Sequence, residues 1–454
     1  MPDIQHLNLF MITVLVAGAG KSSTYLIEYL LQCAQRYKWE IIVADGSAEA
    51  ISKKLGNHPH GRAAAIDITN DAERRPLVQQ ADLVVSLMPP HLHLLLAKDC
   101  LDFNKNLITA SYVSPEMKEL DQAAKEKGLL FMCEMGLDPG IDHMTASQII
   151  HSIQKVRGSL CCFNSYCGGL VAPEDDDNPW HYKFSWNPRN VLMAGMAGAE
   201  FLQRKKPVQL DYKELFDPRK KVKIDELGTL GYYPNRDSLH YLELYQTHEA
   251  STFMRATLRY PDFMCGWRAL IDLGLTELDD HLPSFKTAQE WVAHKTGFGN
   301  GSSQDLQAHV AKKLNESLDS KTMSMLQWLG LFAGEPLSGQ SANSSGALEE
   351  ILLRKWALGP DDKDMVVMAH EMEYEQGGQR HHMTSTMILK GEGGDRSAMA
   401  KTVGLPMAIL AELLIHGKIS QLPTGVCVPT MPAIYKPVLK RLEHQGIVFK
   451  EEVN

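Results

Sequence analysis

The sequence has no cysteine pattern of the kind that holds a metal. Its eight cysteines (Cys33, Cys100, Cys133, Cys161, Cys162, Cys167, Cys265 and Cys427) include no C-x-x-C pair and no zinc spacing. No metal site is expected from them. Several lie inside apolar runs, where a buried free thiol is the default, and a reducing, cytoplasmic compartment is the expectation. Positive charge is also short: 46 Lys+Arg stand against 55 Asp+Glu, a net charge of −9, with no basic stripe. That excludes a nucleic-acid surface and an anionic membrane face as partners, while local basic residues remain able to gather small anions. No apolar run approaches the length of a membrane span. The opening MPDIQHLNLF has no basic region followed by an apolar core, so no signal peptide is expected. Internal repeats and low-complexity tracts are missing too. At 454 residues, 44% hydrophobic and 22% charged, the chain is ordinary globular protein of two or three domains.

What is present is organised around Met11–Ser23, MITVLVAGAGKSS. An apolar, valine-containing run ends in Gly18-Ala19-Gly20, and helical spacing follows with Leu26, Ile27, Leu30, Leu31 and Ala34 on one face. A buried strand, a glycine turn and a helix start open a dinucleotide-binding unit. Gly18 permits the sharp turn, and Gly20 clears the approach of backbone to a pyrophosphate at the helix N-terminus. The third glycine of the pattern is Ser23. GAGKSS is not a triphosphate P-loop, because Leu15 stands where that motif needs glycine. The next strand, Glu40–Ala44, ends at Asp45, roughly two dozen residues beyond the turn, where an acidic residue bonds the ribose hydroxyls of NAD. A 2′-phosphate would meet a like charge there, so NAD is favoured and NADP is the second choice. The competing reading is that Asp45 only caps a strand end.

Strands and helices then alternate. Strands are predicted at 63–68, 82–87, 106–110 and 129–134. Helices are predicted at 73–80, 91–103 and 114–127, the last with Pro115 in its first turn. The fold class is α/β: a Rossmann-type doubly wound parallel sheet, a second mixed α/β domain and a small all-helical domain. Ligands bind at the carboxyl ends of such strands, which singles out Asp67, Ile68, Met88, Ala110, Ser111 and Tyr112. Past Gly136 the texture changes. A strand is predicted at 160–166, Cys167-Gly-Gly-Leu reads as a turn, and Glu174-Asp-Asp-Asp as a solvated loop. Residues 266–336 read as helical, with Trp291, Leu314, Leu326, Trp328 and Leu329 as core. A linker over 338–346 precedes strands at 364–372 and 381–389. The tail from Ser397 reads as helical, with Pro406 in the first turn of a helix over 407–416 and Gly417 past its end.

Ordered strings along the chain resemble the saccharopine reductase family, also called saccharopine dehydrogenase, glutamate-forming. They are ASYVSP (110–115), GLDPGIDH (136–143), SYCGGL (165–170), APE…DNP (172–179), YKFSW (182–186), YPNRDS (233–238), TLRY (257–260), WLGLF (328–332) and SAMAKTVG (397–404). The resemblance implies a dinucleotide-binding domain over 1–135 plus 395–454. It further implies a substrate and dimerisation domain over 136–265 plus 345–394, and a helical domain over 266–344. It also implies a homodimer, and a reaction that joins glutamate to α-aminoadipate semialdehyde by reductive amination, or in reverse cleaves saccharopine oxidatively, in lysine metabolism. Carried over by position, cofactor contacts are Gly18, Gly20, Lys21, Asp67, Ile68, Met88, Ala110, Ser111, Leu137, Asp138, Pro139 and Ser185. Substrate contacts are Ser111, Tyr112, Asp138, Arg236, Thr257, Leu258 and Arg259. Fungal members carry a basic residue after the second strand and use NADP; Asp45-Gly46 departs from them, and the carboxylate outweighs the carried-over cofactor.

The chemistry agrees with that substrate. Saccharopine has three carboxylates and a secondary amine, and a guanidinium grips a carboxylate with two hydrogen bonds where lysine offers a point charge. Arg236 and Arg259 are the two anchors, against the alternative of structural ion pairs; Arg189 and Lys183 are weaker candidates. Loss of hydride from the carbon beside the nitrogen requires a deprotonated amine, so Asp138 and Tyr112 are candidate acid–base or orienting groups. Turn formation before Pro139 competes for Asp138. Cys167 reads as a packed thiol and His143 as a helix-packing residue. The rival functions are a carboxynorspermidine- or homospermidine-synthase-like enzyme, whose polyamine substrates call for acidic pockets, and a dinucleotide-sensing protein without turnover.

Overall fold

The computed structural model describes residues 11–454, so the expectation for MPDIQHLNLF lies outside the described residues. Two compact units are present: residues up to Ser152 with Ala398–Val448, and Ile153–Ser397 with Phe449–Asn454.

The first unit is the parallel sheet. Its strands are β1 (Thr13–Ala17), β2 (Glu40–Asp45), β3 (Gly61–Ala65), β4 (Leu83–Ser86), β5 (Asn106–Thr109) and β6 (Leu130–Met132). A seventh, Gly425–Cys427, comes from the tail and pairs with β6. The order is tail strand, β6, β5, β4, β1, β2, β3, and every pair is parallel. β1 and β4 lie side by side at the centre, where the order of strands reverses; ligands of open α/β sheets bind outside the carboxyl ends of strands at such a point. Both central strands are fully or almost fully buried, as expected for a parallel sheet covered on two faces.

The helix at 407–416 is instead a longer one, Ala398–Ile415, with Pro406 in its interior. It packs on the first helix, Thr24–Tyr37. A Cβ at Gly404 would come within 3.0 Å of the Leu26 nitrogen, so glycine there lets the two backbones meet. Its 18 residues are long and apolar enough to cross a membrane, contrary to the sequence expectation, yet most of them are buried in this unit. A core helix of a globular protein has the same composition. The helix predicted over 114–127 is broken into Pro115–Lys118 and Asp121–Glu126.

The second unit carries a mixed ten-stranded sheet among the described residues. Its strands are β7 (Ser159–Val171), β8 (Ala199–Gln203), β9 (Lys206–Leu210), β10 (Lys221–Ile224), β11 (Gly228–Pro234), β12 (Arg236–Asp237), β13 (Thr252–Arg259), β14 (Asp364–Gln376), β15 (Gln379–Lys390) and the terminal strand Lys450–Val453. The main path runs β10, β11, β13, β7, β14, β15, terminal strand. Two expectations are corrected here. The end of the tail does not stay with the first sheet: Lys450–Val453 pairs with β15. Cys167-Gly168-Gly169-Leu170 is not a turn but the continuation of β7, hydrogen-bonded along β14. A Cβ on Gly168 would lie 2.7 Å from the Leu258 Cβ and 2.8 Å from its carbonyl oxygen, so these glycines mark strand crowding rather than reversal.

The helices of 266–344 form one hydrophobic cluster with Tyr182, Tyr233, Phe263 and Trp356. Trp291, Leu326 and Leu329 are fully buried there, while Leu314 and Trp328 pack on its margin. Within the expected linker, Asn343 caps a helix over Ser344–Lys355 by accepting from the Gly346 N–H.

Candidate active site

The turn after β1 has the geometry that its glycines predict. Gly18 adopts φ +108, and a Cβ there would sit 3.1 Å from the Leu87 backbone. No larger residue fits both the angle and the space. Gly20 faces open space, with nothing within 4 Å of where a Cβ would be. A helical turn at Lys21–Ser23 leads into the Thr24–Tyr37 helix. A smooth backbone approach beside a helix start fits a dinucleotide pyrophosphate. Lys21 is exposed beside it.

Asp45, at the end of β2, reaches back to this turn. One carboxylate oxygen accepts the Ala19 N–H at 2.8 Å and the other the Ser47 N–H at 2.9 Å. Its charge is therefore fixed next to the glycines. Asp67 is exposed, and hydrogen bonds from the Thr69 hydroxyl and N–H hold its carboxyl below the usual range. Ile68 is buried, its carbonyl accepting from Arg74, and Met88 packs against the same core.

At the ends of β4 and β5 the polar groups are tied together. Ser86 Oγ lies 2.8 Å from His93 Nδ1, and His93 Nε2 lies 2.8 Å from Ser111 Oγ. Tyr112 donates its phenolic proton to Asp138 at 3.0 Å, so two of the predicted substrate residues meet in the first unit. Ala110 and Gly136 are in close contact, since a Cβ on Gly136 would lie 3.1 Å from the Ala110 methyl. Leu137 and Pro139 are buried on either side of half-buried Asp138, and the Asp138–Pro139 bond is cis.

Sequence reasoning misses what holds this loop. Glu134 is buried at a left-handed φ of 54°. Its N–H donates to the Ser111 carbonyl. One carboxylate oxygen accepts from the Val113 N–H at 3.0 Å, and the other lies 2.7 Å from His143 Nε2. A non-glycine residue at such an angle persists only where its surroundings over-determine it. Here they join the 111–113 segment to the 136–143 segment, and His143 is packed as expected. Nothing in the sequence at 134 signals this.

The second unit holds the remaining candidates. Ser185 is buried. Thr257 sits on β13 between Cys167 of β7 and Tyr233 of β11. The Leu258 side chain lies wholly in the sheet's core. Arg236 is exposed on β12 with φ 51°. Arg259 is 3% exposed and packs its guanidinium among rings, its Cζ 5.1 Å from the Tyr182 centroid and 5.3 Å from that of Phe263. Nη1 donates to the Leu258 carbonyl, while Nε has no partner among the described residues. A buried cation without a carboxylate is costly unless ring faces or a ligand compensate. The weaker candidates are engaged in structure: Arg189 pairs with Glu349, and Lys183 with Asp177 and Asp362. All eight cysteines are free thiols.

Comparison with known proteins covers most of the chain. Residues 14–132 match the model of the saccharopine dehydrogenase NADP binding domain, and residues 136–447 that of the saccharopine dehydrogenase C-terminal domain. A Schizosaccharomyces pombe protein named saccharopine dehydrogenase [NADP(+), L-glutamate-forming] is 33% identical, the match covering 98% of this chain and 99% of that one. The mitochondrial α-aminoadipic semialdehyde synthase of Bos taurus is 35% identical over 96% of this chain, which spans about half (47%) of that relative's length. The solved structure of apo saccharopine dehydrogenase (L-Glu forming) from Saccharomyces cerevisiae superposes with a TM-score of 0.88, at 31% identity, over 98% of this chain and 100% of that one. With both domain models matched in order and the fold shared from end to end, the chain belongs to the saccharopine dehydrogenase family.

Proposed function

We propose that this chain oxidises saccharopine to glutamate and α-aminoadipate semialdehyde, or runs the reverse reductive amination, with a nicotinamide dinucleotide. The observation that carries the reading is the likeness to the fission-yeast enzyme, which covers 98% of this chain and 99% of that one. The bound dinucleotide supplies hydride acceptance or donation, and the protein's own groups bind, orient and move protons.

Gly18, Gly20 and Lys21 take the pyrophosphate, with Asp67, Ile68, Met88, Ala110, Ser111, Leu137, Asp138, Pro139 and Ser185 completing the cofactor set. Asp45 bonds the adenosine ribose, and its fixed negative charge favours NAD over a 2′-phosphorylated cofactor. The fungal relatives and the family model are named for NADP, which leans toward the phosphorylated cofactor and makes Asp45 the residue on which the NAD reading rests. Arg236 and Arg259 hold carboxylates of saccharopine, with Thr257 and Leu258 supplying hydroxyl and backbone contacts. Ser111 donates a hydrogen bond to the substrate. Asp138, bonded to the Tyr112 phenol at the end of the β5 segment, is the group that accepts the amine proton or orients the water that splits the imine. Two chains form a homodimer.

The test is absorbance at the NADH wavelength with purified protein, saccharopine and either cofactor. Saccharopine-dependent reduction, faster with NAD, is expected. Dinucleotide binding without hydride transfer would return the chain to the sensing reading.

A further inference from the structure

His93 has no place in the carried-over site, yet it links two strand ends. It lies in the first turn of the Pro90–Phe103 helix, is 4% exposed, and bridges Ser86 at the end of β4 to Ser111 beyond β5. Burial pushes its pKa down to about 4, with repulsion from His91 adding to the effect. At neutral pH the ring is therefore uncharged: one nitrogen donates and the other accepts.

The neighbours decide which. Ser86 is fully buried, and among the described residues its hydroxyl has no other side-chain or backbone partner than His93 Nδ1. A buried hydroxyl proton needs an acceptor, so Ser86 donates to Nδ1. The ring proton then resides on Nε2 and is donated to Ser111 Oγ. Ser111 Oγ has no further partner among the described residues, so its own proton is left to point at a ligand. Hydrogen bonds in such a chain polarise one another, which strengthens the last donor.

Resting on the proposed saccharopine chemistry, we infer that His93 is a positioning residue: through its Nε2 proton it fixes Ser111 as a hydrogen-bond donor to a carboxylate oxygen of the amino-acid substrate. A carboxylate suits the end of this chain because it accepts only, whereas a flipped chain would present Ser111 as an acceptor and repel it.

A double-mutant cycle on the full chain tests this. Ser111→Ala and His93→Gln are each expected to raise KM for saccharopine about tenfold, with His93→Gln changing kcat by less than about twofold. In the Ser111→Ala background, His93→Gln should add less than about twofold, because its effect runs through the hydroxyl already removed. Ser86→Ala keeps the imidazole but frees its tautomer. It should raise the same KM by about threefold, and that increment too should vanish without Ser111. This second cycle decides the matter if His93→Gln does not fold. Multiplying effects in the double variants, or a dinucleotide KM that moves instead, overturn the role. An inactive wild type would overturn the proposed function itself, whereas active wild type with multiplying effects removes His93 alone.

Discussion

In the first unit, Gly18 is held at φ +108 beside the Leu87 backbone, and the chain reverses there. In the second, Gly168 lies inside a straight strand, against the Leu258 carbonyl. The two stretches, Gly-Ala-Gly and Cys-Gly-Gly, both read as turns in the sequence. One glycine is required by a torsion angle and opens a ligand path; the other is required by a neighbouring strand. Charges divide in the same way. Asp45 in the first unit is oriented by two backbone N–H groups, Ala19 of the glycine turn before it and Ser47 just beyond it. Arg259 in the second sits among rings contributed from residues 182, 233 and 263. Contacts within one strand–helix–strand unit thus orient Asp45, whereas packing between distant elements encloses Arg259.

Substituting the two glycines breaks that comparison most sharply. Gly18→Ala should weaken NADH binding about a hundredfold in a fluorescence titration, because strain of about 1–3 kcal/mol falls on the loop that must meet the pyrophosphate. Gly168→Ala should lower Tm through overpacking worth about 1–3 kcal/mol while leaving NADH affinity within about twofold. Equal loss of affinity in both variants would erase the distinction.

Asp45→Ala comes next in size. Loss of a charge-assisted ribose bond worth about 1.5–3 kcal/mol should reduce kcat/KM with NAD by about tenfold or more and bring NADP level with it. If wild type already works better with NADP, Asp45 merely secures the turn.

The first unit is legible in the sequence because its signals are local. The β1 strand, Gly18, Gly20 and Asp45 lie within one strand–helix–strand unit, and spacing alone places them. The second unit is less so. Gly168 can be read correctly only by knowing that β13 and β14 flank it, and Lys450–Val453 gives no sign of the sheet it joins until β15 is in place. Pro406 reads as a helix start because proline is disfavoured inside helices; tight burial of the surrounding residues overrides that preference. His93 carries no signal of its own because its two serine partners come from separate strand ends, and only the fold brings them to 2.8 Å. Arg236 and Arg259 stand out through the family resemblance, since spacing says nothing about a residue on a two-residue strand or about the rings that enclose the last residue of β13.

Two exposed arginines give the smallest and most selective contrast. Arg236 is assigned to substrate, whereas Arg219 forms hydrogen bonds from its Nε and Nη2 to Asp217. Arg236→Ala should raise KM for saccharopine about tenfold, and an unchanged KM would remove it from the site. Arg219→Ala should leave kinetics alone and lower Tm only slightly, as for other solvent-screened pairs. Its pH dependence has a definite sign. Bonding to Arg219 holds the Asp217 carboxyl down to about 2. A depressed carboxyl stabilises the fold above its unfolded pKa and loses that contribution as pH falls through the folded value. The Tm gap between wild type and Arg219→Ala should therefore be full from about pH 5 upward, shrink below about pH 4 and close near about pH 2. A gap that persists at that acid end would mean that Arg219 acts through packing of its stem rather than through its charge.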